Sequence, residues 1–228
     1  MNTIQCILFD LDGTLLDTSM DFAYALNQLL IRHQRPPLPY ADIRASVSSG
    51  GLAMTQLAFP ELSGKALENK RDEFIQIYQQ NISQHTQLFP TLATGLGILE
   101  QKNLTWGIVT NKPTHLTQSL LKALNAKSTC PIKPQTLVCG DTLTEKKPHP
   151  APLELAAKSC QVAPENCLYL GDHPRDIEAG LKAKMQTGAA LFGYIPPTSH
   201  FPQAMQTLSQ ADYQFHTPLE ITQFFETL

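Results

Sequence analysis

Ile7-Leu8-Phe9-Asp10-Leu11-Asp12-Gly13-Thr14-Leu15-Leu16-Asp17 joins a short apolar run to a pair of acids and a turn. The run from Ile4 to Phe9 is rich in strand formers and stops abruptly at Asp10. Side chains two apart in a strand point to the same side, so a strand ending here aims Asp10 and Asp12 at one spot beyond its carboxyl end. Gly13 then lets the chain turn away. Parallel α/β sheets bind their ligands at that edge. Two acids held close together repel, which calls for a cation, a shared proton, or a division of labour between nucleophile and acid. A solvated turn uses the same residue types, so the pair must be weighed with the rest of the chain.

After Asp17 the pattern is helical only. Phe22, Ala25, Leu26, Leu29 and Leu30 recur at helical spacing, and Pro36-Pro37 breaks the run. A second helical piece starts near Tyr40, is interrupted by Ser48-Ser49-Gly50-Gly51, and resumes through Leu57. A longer helix spans Gly64 to Ser83. From Leu88 onward, strands at Thr105–Thr110, Thr136–Cys139, Cys167–Gly171 and Thr187–Phe192 alternate with helical stretches. Those stretches lie near Leu92–Lys102, His115–Leu124, Pro152–Cys160 and Asp176–Ala183. The alternation predicts an α/β fold, a Rossmann-like parallel sheet with helices on both faces. Residues 1–17 and 88–228 form this core, and residues 18–87 form an inserted all-helical cap. An insert placed just after the acid pair sits over the sheet's carboxyl edge as a lid.

The 228 residues, 42% hydrophobic and 16% charged, describe an ordinary globule with room for a sizeable core. A net charge of −3 and a pI near 6.1 argue against nucleic acid or an anionic membrane as partner. Neither a basic leader nor a long apolar stretch is present, so a cytoplasmic location is expected. The five cysteines, Cys6, Cys130, Cys139, Cys160 and Cys167, show no metal-binding spacing and are expected to be buried free thiols. Monomer and homodimer both remain open.

Three further segments carry chemistry. Ile108-Val109-Thr110-Asn111-Lys112 is apolar residues giving way to a hydroxyl and an amide that can donate to a phosphoryl oxygen, although Thr-Asn is also ordinary helix-capping chemistry. Lys146-Lys147-Pro148-His149-Pro150 holds Lys147 beside a helix start, where it can supply a fixed positive charge. Leu170-Gly171-Asp172-His173-Pro174-Arg175-Asp176 ends another apolar strand in an acid, with a second acid four residues on. Asp172 can face a metal directly while Asp176 acts from behind it. An N-capping Asp and a first-turn Asp would account for either acid alone.

Taken in order, the four segments resemble the haloacid dehalogenase-like hydrolase superfamily over essentially the whole chain. Ser49-Gly50-Gly51, Trp106-Gly107-Ile108-Val109-Thr110-Asn111-Lys112-Pro113 and Phe192-Gly193-Tyr194-Ile195 resemble its phosphoglycolate phosphatase group. Within that group they are nearest the branch acting on N-acetylmuramic acid 6-phosphate in peptidoglycan recycling. His173 and Arg175 depart from the residues more usual at those positions. So does Lys184, where relatives often end the helix with Gly; a left-handed Lys there carries a strain of about 1 kcal/mol.

The resemblance implies a phosphomonoester hydrolase acting on a small phosphorylated metabolite. Asp10 would be the nucleophile that becomes an aspartyl-phosphate, and Asp12 the general acid and base. Asp10, the backbone carbonyl of Asp12 and Asp172 would hold Mg2+, with Asp176 behind them, while Thr110, Asn111 and Lys147 hold phosphoryl oxygens. Gly50 and Gly51 would let the lid approach the leaving group, and Arg44 is a candidate for a substrate carboxylate, or else a solvated helix residue. N-acetylmuramic acid 6-phosphate is the leading substrate and 2-phosphoglycolate the alternative. A sugar-phosphate mutase and a non-catalytic sugar-phosphate-binding protein are the readings from other classes.

Overall fold

The computed structural model describes residues 3–128, 131–196 and 202–228. Strand β1 (Cys6–Phe9) leads through the acid pair to a short strand β2 (Leu16–Asp17). Four helices follow: α1 (Ser19–Arg32), α2 (Tyr40–Ser46), α3 (Gly51–Ala58) and α4 (Gly64–Gln80). Strand β3 (Gln87–Leu88) pairs antiparallel with β2, so the two ends of the helical insert are joined at its base. Then come α5 (Leu92–Gln101), β4 (Thr105–Val109), α6 (Thr114–Asn125), β5 (Thr136–Val138) and α7 (Ala151–Ser159). The chain closes with β6 (Cys167–Gly171), α8 (Pro174–Lys182), β7 (Gln186–Ala190), α9 (Ala204–Leu208), β8 (Tyr213–Phe215) and α10 (Pro218–Thr227).

Six strands form one parallel sheet in the order β5-β4-β1-β6-β7-β8. Phe9 is level with Ile108 on one side and Leu170 on the other, so the polar residues that follow β1, β4 and β6 emerge together at one edge. Strands buried on both faces read as continuous apolar runs, as these do. Ile7 and Phe9 pack with Trp106 and Ile108 in the cluster that takes in α5, α6 and α10. Cys6 and Leu8 point the other way, into α7 and α8 through Leu153, Ala156 and Ala179. Each fully buried Leu, Ile or Phe contributes about 1.5–3 kcal/mol relative to exposure.

The expected lid is an α-helical cap, and its core is continuous with one face of the sheet. Phe22 of α1 stacks on Tyr78 of α4 at a centroid distance of 4.1 Å. Leu26, Leu29, Met54, Phe74 and Ile77 are buried around them. The interruption between α2 and α3 is a 3-10 turn over Val47–Ser49, closed by Gly50 at φ +91°. Nothing lies within 4 Å of where a Gly50 Cβ would be, so the backbone conformation requires glycine there, not a close approach.

Some expectations shift. Helix α4 stops at Gln80, short of Ser83, because Asn81 turns its side-chain amide back onto the Ile77 carbonyl. Strand β7 runs Gln186–Ala190, and Phe192 already lies in the loop beyond it. Strand β8 and helices α9 and α10 were not anticipated, since a three-residue strand leaves little periodicity to read. Lys184 does adopt the left-handed conformation, at φ +58°. Cys6, Cys139 and Cys167 are buried free thiols as expected, Cys160 is only partly buried, and Cys130 lies outside the described residues. Among the described residues no helix is long and apolar enough to cross a membrane.

Candidate active site

Asp10 leaves β1 buried, its backbone N–H donating to the Leu170 carbonyl at 2.8 Å. Gly13, at φ +88°, carries the chain around it, and a Cβ there would come within 2.1 Å of Asp172 Oδ2. Only glycine admits both the turn and the neighbouring acid. Asp172 ends β6, and Asp176 lies in the first turn of α8, accepting from the His173 N–H as half of a capping box. The three carboxylates each present an oxygen within 4.8 Å of the others.

Lys147 lies beneath them with its side chain fully buried. Its Nζ is 2.9 Å from Asp10 Oδ1 and 2.8 Å from Asp176 Oδ1, and it donates to the Val109 carbonyl and the Tyr169 hydroxyl. The contact to Asp10 is an ion pair with poor hydrogen-bond angles, so Asp10 Oδ1 is buried without an aligned donor. One ammonium pairs with two of the three clustered carboxylates. The Asp172 carboxyl is pushed up to about 8, first by burial and then by the Asp10 and Asp176 charges, despite donation from the Tyr194 N–H and Ser48 hydroxyl. A buried oxygen cluster with surplus negative charge and an unsatisfied acceptor fits a hard divalent cation.

Asp12 faces a different environment. Its carboxylate accepts from Thr18 Oγ1 at 2.8 Å and pairs with Lys112 Nζ at 3.0 and 3.2 Å. Lys112 also donates to Tyr78 Oη at 3.0 Å and lies over the Phe22 and Tyr78 rings. Burial alone would lower the Lys112 amine, but Asp12 and the Tyr78 hydroxyl outweigh it and hold the ammonium above its ordinary value. The backbone carbonyl of Asp12 accepts from the Ser48 hydroxyl at 3.3 Å, and the same hydroxyl donates to Asp172 Oδ2 at 2.9 Å. A cap residue thus reaches the acid cluster.

Thr110, Asn111, Gly50 and Gly51 line the cavity between core and cap together with Asp10 and Asp12; it encloses about 600 Å³ of space, including its open mouth. The Asn111 side chain is already engaged, donating to the Lys147 carbonyl and accepting from the Lys147 N–H, so it positions the lysine segment. Arg44 does not line the cavity. Its guanidinium donates to the Phe192 and Gly193 carbonyls at 2.9 and 3.1 Å and covers the Tyr194 ring, tying cap to core. Neither a solvated face nor an open carboxylate site describes it. His173 serves as helix cap, accepting from the Arg175 N–H, and burial holds its imidazole down at about 3, in the neutral form.

Sequence reasoning passed over Lys112, Ser48, Tyr78 and Tyr194. Tyr194 Oη accepts from the Thr18 and Ser19 N–H groups and donates to Asp17, pinning the entry to the cap. Lys112 stood in a quoted motif, but adjacency to Thr110-Asn111 does not reveal a partner a hundred residues away.

The family model for haloacid dehalogenase-like hydrolases matches residues 7–190. A phosphoglycolate phosphatase of Xanthomonas campestris is 42% identical over 190 residues, covering 83% of this chain and 84% of the relative. An N-acetylmuramic acid 6-phosphate phosphatase of Pseudomonas putida is 38% identical over 197 residues, covering 85% and 86%. The crystal structure of a predicted phosphoglycolate phosphatase from Haemophilus somnus superposes with a TM-score of 0.82 at 24% identity, covering 100% of this chain and 99% of that one. With the segments that follow β1, β4 and β6 lining one cavity and a family match across most of its length, the chain belongs to the haloacid dehalogenase-like hydrolases.

Proposed function

We propose that this phosphatase hydrolyses a small phosphomonoester through an aspartyl-phosphate on Asp10, with residues 18–87 acting as a substrate-selecting cap on a core of residues 1–17 and 88–228. The observation that carries this reading is the cluster of Asp10, Asp172 and Asp176, in which one buried ammonium, Lys147, pairs with Asp10 and Asp176. Asp10 attacks phosphorus in line. Asp12, paired with Lys112 and Thr18, donates a proton to the leaving oxygen and then accepts one from the hydrolytic water. Thr110 and Lys147 steady the transferred group as charge develops, and Asn111 holds the Lys147 backbone in register.

Asp10, Asp172 and the Asp12 carbonyl would hold Mg2+, with Asp176 bracing Lys147 behind them. The bound ion would supply the positive charge that lets a carboxylate approach a phosphate dianion.

The preferred substrate is N-acetylmuramic acid 6-phosphate. Its support is the apolar cap side of the cavity, where Phe22, Val47, Met54 and Ile75 offer contacts that a two-carbon leaving group would not reach. The phosphoglycolate phosphatase relatives, up to 42% identical, favour 2-phosphoglycolate as the second reading. A screen of phosphorylated metabolites tests both. At least about tenfold higher kcat/KM for the amino-sugar ester, roughly 1.4 kcal/mol of discrimination, is expected. Preference for 2-phosphoglycolate would reverse the order. Excess chelator should stop turnover and Mg2+ restore it.

A further inference from the structure

Two cationic side chains line the cavity, and they differ in whether they are paired. Lys112 is neutralised by Asp12. Arg175 has no carboxylate within ion-pair distance among the described residues. Its Nη2 donates to the Ser48 carbonyl of the cap, while its Nε is buried without a hydrogen-bond partner. A guanidinium stays charged at any physiological pH and carries its donors in a planar fork matched to a carboxylate. An unpaired one with a buried unsatisfied N–H, on the wall of an active-site cavity, is unfavourable until an anion arrives.

Its location says which anion. Arg175 is the second residue of α8, three positions beyond Asp172, and its side chain reaches from the sheet edge to the Ser48 turn of the cap. The transferred phosphoryl group belongs at Asp10, served by Thr110 and Lys147. The guanidinium is held against the cap turn, on the wall of the cavity. Arg44, the cation that the sequence offered for a carboxylate, is occupied by the Phe192 and Gly193 carbonyls.

We propose that Arg175 is a specificity-determining residue that binds a carboxylate on the leaving-group half of the substrate. This rests on the phosphatase reading above and extends it. Both substrates considered there carry such a carboxylate, so the inference does not depend on which is correct.

The test uses the full chain and two pairs of esters in which one member lacks that carboxylate, in the sugar pair together with the lactyl ether that bears it. N-acetylmuramic acid 6-phosphate is compared with N-acetylglucosamine 6-phosphate, and 2-phosphoglycolate with 2-hydroxyethyl phosphate. Wild type should prefer the acid of at least one pair by tenfold or more in kcat/KM. Arg175→Gln should reduce that preference at least tenfold, mainly through KM, with Arg175→Lys intermediate because it keeps the charge and loses the fork. Arg44→Ala should leave the ratio unchanged. Circular dichroism of each variant checks folding, and the ratio is read within one protein preparation. If Arg175→Gln slows both members of a pair by the same factor, the residue is only a latch on the Ser48 turn and the proposal falls. It also falls if wild type shows no preference within either pair. Turnover of none of the four esters would overturn both substrate readings and this inference with them; equal turnover within pairs overturns this inference alone.

Discussion

Two buried lysines serve the two aspartates of the first motif, and their surroundings differ. Lys147 is enclosed by the core: Asp10, Asp176, the Val109 carbonyl and Tyr169 all belong to the sheet edge or α8. Lys112 has one core partner, Asp12, and is otherwise bounded by cap residues, Tyr78 on α4 and Phe22 on α1. The surroundings of Lys147 are therefore complete without the cap, whereas those of Lys112 are finished by it. A lid that moves would leave Asp10 in place and re-solvate Lys112 and Asp12.

The largest expected effect comes from Asp10→Asn. The amide is isosteric but neither nucleophilic nor anionic, so turnover should fall roughly a thousandfold or more while the fold persists. Steady-state assays on a folded sample, with deamidation excluded by mass spectrometry, check this; appreciable residual turnover would remove Asp10 from its role.

The lysines sharpen the comparison next. Lys147→Met strands two buried carboxylates and should destabilise the fold by about 3–5 kcal/mol in denaturant titrations. Lys112→Met should be milder, because the Asp12 side chain retains 15% exposure and Thr18 as donor, so water can reach it. Equal losses for the two variants would break the distinction between a core-sealed site and a cap-sealed one.

A pH effect follows from Asp172. Its carboxyl in the fold is raised to about 8, against a value of 3.8 for an ordinary Asp. Between those values the folded chain keeps a proton that the unfolded chain has released, so metal-free stability should decline as pH rises from about 4 to about 8. A cation among the three acids relieves that penalty, so Mg2+ should raise Tm more at pH 8 than at pH 5. Calorimetric melts with and without Mg2+ decide it, and a metal effect independent of pH would contradict the reading.

The smallest effect is expected for Tyr78→Phe, which removes one hydroxyl from Lys112 and keeps the ring stacked on Phe22. About 0.5–1.5 kcal/mol of stability should be lost. If the cap completes the Asp12 environment, kcat should fall while the melt moves little. A change confined to stability would make Tyr78 a packing residue only.

The amino-acid sequence by itself determined the core of this protein. Strand ends are legible because a buried parallel strand is apolar throughout and stops at its first polar residue, as at Phe9-Asp10, Val109-Thr110 and Gly171-Asp172. Helical spacing in the same way marked the cap, Gly50 marked a turn within it, and Gly13 marked the turn after Asp10 and Asp12. What only the tertiary structure decided is which charges meet. Local pattern records the face an element buries, and it is silent on which of several equivalent cations finds a partner. Arg44 and Arg175 look alike in the chain; one is consumed by the Phe192–Gly193 carbonyls, while the other lines the cavity with no carboxylate in ion-pair distance among the described residues. Lys112 and Ser48 became site residues because packing brought them to Asp12 and Asp172 across 100 and 124 positions. Those partnerships depend on the summed geometry of helices and strands far apart in the chain, which no single window of sequence contains.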